Sequence, residues 1–151
     1  MIVVNEILNI KLKPGCKKDT KLTYVEKGNQ QPGRPRPDDL VVVVKEKPHE
    51  IFKREGNNLI VTQKISLVDA LTGKTIKITT LDGREIYVSL TNIVKPDTKI
   101  VIENEGMPST SKAGQKGNLI IKFDIIFPSS LRLTGSQKRG LKNIFANKAY
   151  V

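Results

Sequence analysis

The chain has 151 residues, room for one domain or two small ones, and a formal net charge of +11. No stretch approaches the roughly 18 apolar residues of a membrane span and no charged-then-apolar leader opens the chain, so a soluble, cytoplasmic protein is expected. The lone Cys16 excludes an internal disulfide and a zinc site of paired cysteines, and it fits a reducing compartment.

A charge of this size attracts nucleic acid, anionic membranes or acidic protein segments. The basic residues are scattered, however. The densest groups, Lys11, Lys13, Lys17, Lys18 and Lys21, then Lys138, Arg139 and Lys142, have few aromatics among them. With three Tyr, four Phe and no Trp there is little to stack bases on. No helix-turn-helix, zinc-finger or RNP-like motif accompanies the charge, so nucleic-acid binding is not the expected role.

In chain order, Ile7-Leu8-Asn9-Ile10-Lys11-Leu12 alternates and predicts a strand with Leu8, Ile10 and Leu12 on one face. A Pro- and Gly-rich loop covers residues 31–37, and residues 40–44 form a β-branched strand. His49 follows Pro48 among charges and reads as a surface-turn residue with a structural role. It is the sole histidine, which leaves no material for a histidine triad or metal cluster. A boundary is placed at residues 54–58. Beyond it, residues 59–62 predict a strand, and Ser66 with Asp69 resembles a capping box ahead of a helical turn or two that Gly73 ends. Residues 75–78 predict another strand, and Thr80-Leu81-Asp82-Gly83-Arg84-Glu85 a hairpin turn whose Asp-Gly supplies positive φ. A loop over 107–117 leads to a strand over 119–127; Gly114-Gln115-Lys116-Gly117 is too short for a phosphate loop. In the tail, Thr134 with Gln137 forms a capping box, and Leu141, Ile144 and Phe145 share one helical face. The carboxylates form no acid–base pair, so neither catalysis nor a cofactor is expected.

The chain also repeats itself. Thr20 pairs with Thr98 and Gly28 with Gly106, 78 residues apart, and Leu40 pairs with Leu119 at 79. Lys13-Pro14-Gly15 and Lys95-Pro96-Asp97 open the two copies. Two copies are too few for a solenoid and predict an all-β chain: two tandem small β-sandwiches, residues 1–56 and 57–131, then a helical segment over 132–151. The preamble at 59–78 has no counterpart in the first copy. Its match would fall before Met1, so the first copy is expected to lack on the order of 20 residues at its amino end.

Lys13-Pro14-Gly15, Glu46-Lys47-Pro48-His49, Phe52-Lys53-Arg54-Glu55-Gly56-Asn57-Asn58-Leu59-Ile60, Ala70-Leu71-Thr72-Gly73, Thr80-Leu81-Asp82-Gly83-Arg84, Asn104-Glu105-Gly106-Met107-Pro108 and Lys116-Gly117-Asn118-Leu119 resemble the carboxyl-terminal substrate-binding region of DnaJ-type co-chaperones. The similar subclass is type II, or class B, which lacks the cysteine-rich zinc domain. The resemblance covers nearly the whole chain and implies tandem β-sandwiches and a short dimerising helix. It further implies that unfolded client segments bind in a shallow groove at a sheet edge of the first domain, by strand addition plus side-chain pockets. Carried over by position, Val42 is a pocket residue where relatives often have Phe, with Leu8 and Ile10 as neighbours that read equally well as plain core. The implied partners are unfolded polypeptides and the heat-shock seventy chaperone, whose acidic tail relatives grip through lysines; here Asn5 and Glu6 stand near that place. Leu141, Ile144 and Phe145 would join two protomers, or else fold back on the second domain.

Departures from the pattern are equally specific. No His-Pro-Asp loop of a J domain and no glycine- and phenylalanine-rich linker occur within these 151 residues, Cys16 stands where the family usually has Trp, and residues 147–151 match nothing in the family. A basic nucleic-acid-binding β-protein and a non-functional fragment stand as alternatives.

Overall fold

The computed structural model describes residues 5–30, 32–33 and 35–146. Gln31 and Arg34 of the predicted 31–37 loop, residues 1–4 and the tail at 147–151 lie outside the described residues. Strands dominate. β1 (Lys21–Tyr24) and β2 (Leu40–Val43) form an antiparallel pair. β3 (Phe52–Glu55), β4 (Asn58–Ser66), β7 (Lys99–Ile102) and β8 (Leu119–Ile126) form a four-stranded sheet in the order β3-β4-β8-β7. β5 (Lys74–Thr79) and β6 (Glu85–Leu90) make a separate hairpin. Two helices complete the described residues, α1 (Leu67–Thr72) and α2 (Gly135–Ala146). The fold is all-β with a short carboxyl-terminal helix.

The second copy holds the core. β4 and β8 are the central strands and pair in parallel from Leu59↔Leu119 to Ser66↔Ile126. Their alternation turns Leu59, Val61 and Ile65 inward beside Leu119, Ile121 and Phe123, all buried. The β5–β6 hairpin covers this face with Ile76, Ile78 and Leu90, backed by Ile86 and Val88, so two β layers enclose one cluster. Ala70 seats α1 on it, and the N–H of Val94 donates to the Ala70 carbonyl at 2.9 Å. Among the described residues every buried hydrophobic lies between Phe52 and Phe123, and none precedes β3.

Local signals act where the sequence places them. Ser66 Oγ accepts the Asp69 N–H at 3.2 Å, and Gly73 ends α1 at φ +99° with its N–H on Asp69 O. The hairpin turn closes through Thr80 N–H to Arg84 O at 2.8 Å, with the positive φ falling on Gly83 (+86°). At α2 the capping box is reciprocal: Gln137 N–H donates to Thr134 Oγ1 at 3.2 Å, and Thr134 N–H to Gln137 Oε1 at 2.9 Å.

The repeat extends to single hydrogen bonds. β1 on β2 pairs Leu22↔Val42 and Tyr24↔Leu40; shifted by 78 and 79 residues these become Ile100↔Ile121 and Ile102↔Leu119, the register of β7 on β8. Gly28 N–H donates to Asp38 O and Asp38 N–H to Asn29 O; their counterparts are Gly106 N–H to Gly117 O and Gly117 N–H to Met107 O. Glu26 (φ +59°) and Asn104 (φ +62°) occupy the same left-handed position.

Two expectations are corrected. Residues 7–12 form no strand: residues 5–13 carry no regular structure, and Ile7 is 92% exposed. Alternation alone does not hold a strand. The segment has no partner ladder among the described residues, and unpaired strand N–H and C=O groups stay with water. Residues 54–58, read as a boundary, instead form the β3–β4 hairpin, in which Phe52 pairs with Val61 and Glu55 with Asn58. By pairing, β3 belongs to the sheet of the second copy.

Candidate functional site

The β1–β2 ladder presents two unlike faces. Leu22, Tyr24, Leu40, Val42 and Val44 are half-buried on one, while Lys21, Thr23, Val41 and Val43 are exposed on the other. In the second copy the positions of Leu40, Val42 and Val44 are taken by Leu119, Ile121 and Phe123, which are buried under the second layer. The same stripe in the first copy is half open. It is an apolar surface at the rim of a sheet, suited to an extended apolar chain.

Of the residues singled out from sequence, Val42 lies in the middle of this stripe, opposite Leu22. Leu8 is half-buried and Ile10 is 43% exposed, both on the irregular 5–13 segment rather than on the ladder. That segment is tied toward β1. Glu6 Oε1 accepts Lys27 Nζ at 2.5 Å. Leu12 and Leu22 line a cleft of about 360 Å³ rimmed by Lys11, Lys13 and Lys17. Sequence reasoning missed Leu22 and Tyr24, although the repeat sets them against Ile100 and Ile102; the signal was there in the 78-residue spacing.

The junction between the copies rests on residues that no motif announced. Arg54, on β3, donates from both terminal nitrogens to the carbonyls of Gly15 and Cys16, each at 2.8 Å, and from Nε to Gly56 O at 2.8 Å. The acceptors lie in a tight turn with Pro14 second and Gly15 third (φ +87°), closed by Cys16 N–H to Lys13 O at 3.1 Å. A cleft of about 300 Å³ separates this turn from the β5–β6 hairpin tip. On its wall Arg84 pairs with Glu105 at 2.7 Å and Asp82 at 2.8 Å. The Thr80 hydroxyl, first, and the Arg84 guanidinium hold the Asp82 carboxyl well below the usual range, at about 2. The Glu85 carboxyl is also lowered, by the Tyr87 hydroxyl and then Lys77.

His49 accepts the N–H groups of Ile51 (3.1 Å) and Phe52 (3.2 Å) on Nδ1, with its ring tilted against Phe52. It caps the turn into β3, the structural role its sequence context predicts. Among the described residues no group of three or more His, Cys, Asp or Glu side chains could hold a metal ion. No helix among them is long and apolar enough to cross a membrane.

At the other end, α2 buries none of its residues. Leu141 and Ile144 line an apolar groove of about 830 Å³ with Val68 and Leu71 of α1 and with Phe127 and Leu131. Phe145 is half-buried outside that lining. Leu141 (41%) and Ile144 (64%) stay exposed, so the helix leans toward its own second copy without closing on it.

Comparison with known proteins follows the same lines. The family model described as the DnaJ C terminal domain matches residues 2–128. The chain is 39% identical over 138 residues to DnaJ homolog subfamily B member 5 of Homo sapiens, covering 91% of this chain and 39% of that protein. It is 40% identical over 127 residues to DnaJ protein homolog 1 of Drosophila melanogaster (83% and 38%). With Protein SIS1 of Saccharomyces cerevisiae the identity is 38% over 138 residues (91% and 39%). The chain thus spans about two fifths of the length of these curated relatives. With its repeated β ladders and its capped terminal helix, the chain belongs to the DnaJ C-terminal domain family.

Proposed function

We propose that the chain is a client-binding module of a DnaJ-type co-chaperone, which holds extended apolar segments of unfolded polypeptides and works with a heat-shock seventy chaperone. One observation carries the reading. The stripe Leu22, Tyr24, Leu40, Val42 and Val44 is half open, whereas the counterparts of its β2 side, Leu119, Ile121 and Phe123, are buried in the core of the second copy. An apolar stripe along a sheet rim offers side-chain pockets next to backbone groups, the combination that strand addition uses. Leu8, half-buried, and Ile10, 43% exposed, are assigned to the same site as neighbours of the bound chain from the irregular segment. With Asn5 and Glu6 near the start, binding of the partner's acidic tail is weakened. Two protomers join through Leu141, Ile144 and Phe145, and the open groove under α2 supports that assembly.

Fluorescence anisotropy with a reduced, alkylated globular protein, which cannot refold, tests the client reading. Val42→Asp places a charge in the stripe and should weaken binding at least about tenfold, the loss expected for desolvating an unpaired carboxylate. Val41→Asp puts the same charge on the exposed face of the same strand and should leave binding unchanged. Equal effects of the two substitutions reject the stripe as the site.

A further inference from the structure

The cleft of about 360 Å³ beside β1 is built from both copies. Lys11, Lys13 and Lys17 of the first stand around a floor of Leu12 and Leu22, and Thr110 of the second reaches the same cleft. No Asp or Glu lines it. Among the described residues none of the three lysines pairs with a carboxylate. Like charges gathered around one small cleft repel one another, and an anion placed among them relieves all three. Thr110 is exposed, in a run over 110–116 that is exposed throughout. The hydroxyls around it are committed. Ser109 Oγ and Ser111 Oγ share a hydrogen bond at 3.1 Å, and Ser109 Oγ accepts the Lys112 N–H at 3.2 Å. Thr20, the other hydroxyl of the cleft, is half-buried and donates to Lys17 O at 2.6 Å. The loop that carries Thr110 is already anchored: Pro108 bridges to Lys116, and Ser109 N–H donates to Gln115 O at 2.8 Å. Pro108 also rests on the Lys13–Cys16 turn, its carbonyl oxygen 1.9 Å from where a Cβ at Gly15 would lie. Thr110 is therefore held beside the lysines before any charge is added, and docking costs little further ordering.

We propose that Thr110 is a phosphorylation site whose phosphate docks among Lys11, Lys13 and Lys17 and ties the second copy to the first. A protein kinase supplies the chemistry. The γ-phosphoryl group of ATP passes to Thr110 Oγ1: the oxygen–phosphorus bond forms and the bond from the γ-phosphorus to the bridging oxygen breaks. ADP leaves, and the hydroxyl proton goes to the base of the kinase. The product carries about −1.5 to −2 charge near neutral pH and three strong acceptor oxygens, which meet three ammonium donors. Charge-assisted hydrogen bonds of this kind order and dock loops. The tie acts beside the bonds from Arg54 to Gly15 and Cys16, which join the same two parts of the chain. It is independent of the client reading, because it requires no occupant of the apolar stripe.

Two measurements on the full chain test this. In the first, the chain is incubated with ATP, magnesium and an extract of the cells that make it, and the phosphate is mapped by mass spectrometry. Phosphate on Thr110 is expected; modification confined to Ser109, Ser111 or other positions, or none, overturns the assignment. In the second, phosphothreonine is placed at position 110 during synthesis and its titration is followed by phosphorus NMR. Its second ionisation, about 6 in a free phosphate ester, should fall by about one unit, a tenfold gain in acidity. Lys11→Gln, Lys13→Gln and Lys17→Gln together should return it to the free value. Each alone should recover part of the shift, which guards against a misfolded triple variant. Lys112→Gln, a sequence neighbour outside the cleft lining, should leave the shift in place. An unshifted titration overturns the docking, and so does a shift that Lys112→Gln abolishes and the triple variant does not. A shift that grows with chain concentration also overturns it, because the phosphate would then sit in the cleft of a second copy.

Discussion

Replacing Gly15 with Ala probes the junction between the two copies. Gly15 sits at φ +87°, and a Cβ built there would lie 1.9 Å from the Pro108 carbonyl oxygen and 2.7 Å from its carbon. The left-handed backbone alone costs roughly 1–2 kcal/mol for a residue with a side chain. The clash is with backbone, so the turn must draw away from the 107–117 loop. In doing so it strains the two bonds from Arg54, which are charge-assisted but only part-buried and are worth about 1 kcal/mol each after solvent screening. The expected loss is about 3–4 kcal/mol. Gly83→Ala is the control. Gly83 has nearly the same φ, +86°, with nothing within 4 Å of its Cβ position, so it loses only the backbone share. Urea unfolding followed by circular dichroism compares them. If Gly15→Ala costs no more than Gly83→Ala, the tight seating of the turn on Pro108 is wrong.

Three further expectations follow from single contacts. Asp82 titrates at about 2 in the folded chain, below the ordinary 3.8, so its contribution to stability is present above pH 3.8 and disappears as the pH falls through 2; Asp82→Asn should flatten that limb of the acid-unfolding curve, and an unchanged limb would remove the role assigned to Thr80 and Arg84. His49→Ala should cost about 1–2 kcal/mol by freeing two backbone donors, and His49→Asn should recover part of it because a short carboxamide can cap the same turn; equal losses would show that the ring packing on Phe52 matters and the cap does not. Sedimentation should show a weak wild-type dimer that Ile144→Asp with Phe145→Asp dissociates, and a wild type that stays monomeric at high concentration ends the assembly claim.

Much of the architecture is written in short-range signals. The Ser66–Asp69 cap, the Gly73 stop, the Asp-Gly hairpin and the Thr134–Gln137 box each depend on residues within four positions of one another, and each forms as its spacing predicts. The repeat gives more, because it fixes the registers of two separate ladders by one pair of offsets. What escapes is set by long-range partners. The alternating 7–12 segment has the pattern of a strand and no ladder among the described residues to join. Residues 54–58 have the polar, Gly-containing composition of a linker, but that composition serves a hairpin turn equally well, and only pairing of Phe52 with Val61 separates the two. Arg54 reaches back 38 and 39 residues to its carbonyl acceptors, and β4 meets β8 across 60. No local periodicity carries such distances. Within the candidate site Val42 was legible from position, and Leu22 and Tyr24 only through the pairing that sets them against it.

The central claim is that this basic chain holds clients through an apolar stripe and not through its charge. The salt dependence of its affinity for an unfolded, alkylated protein tests this directly. Burial of Val42 and its neighbours should leave the dissociation constant within about threefold between 50 and 500 mM salt, since apolar burial is not screened by ions. A loss of affinity of about a hundredfold or more over that range, matched by equally tight low-salt binding of single-stranded DNA, would contradict the account and mark the protein as an anion-binding β-protein.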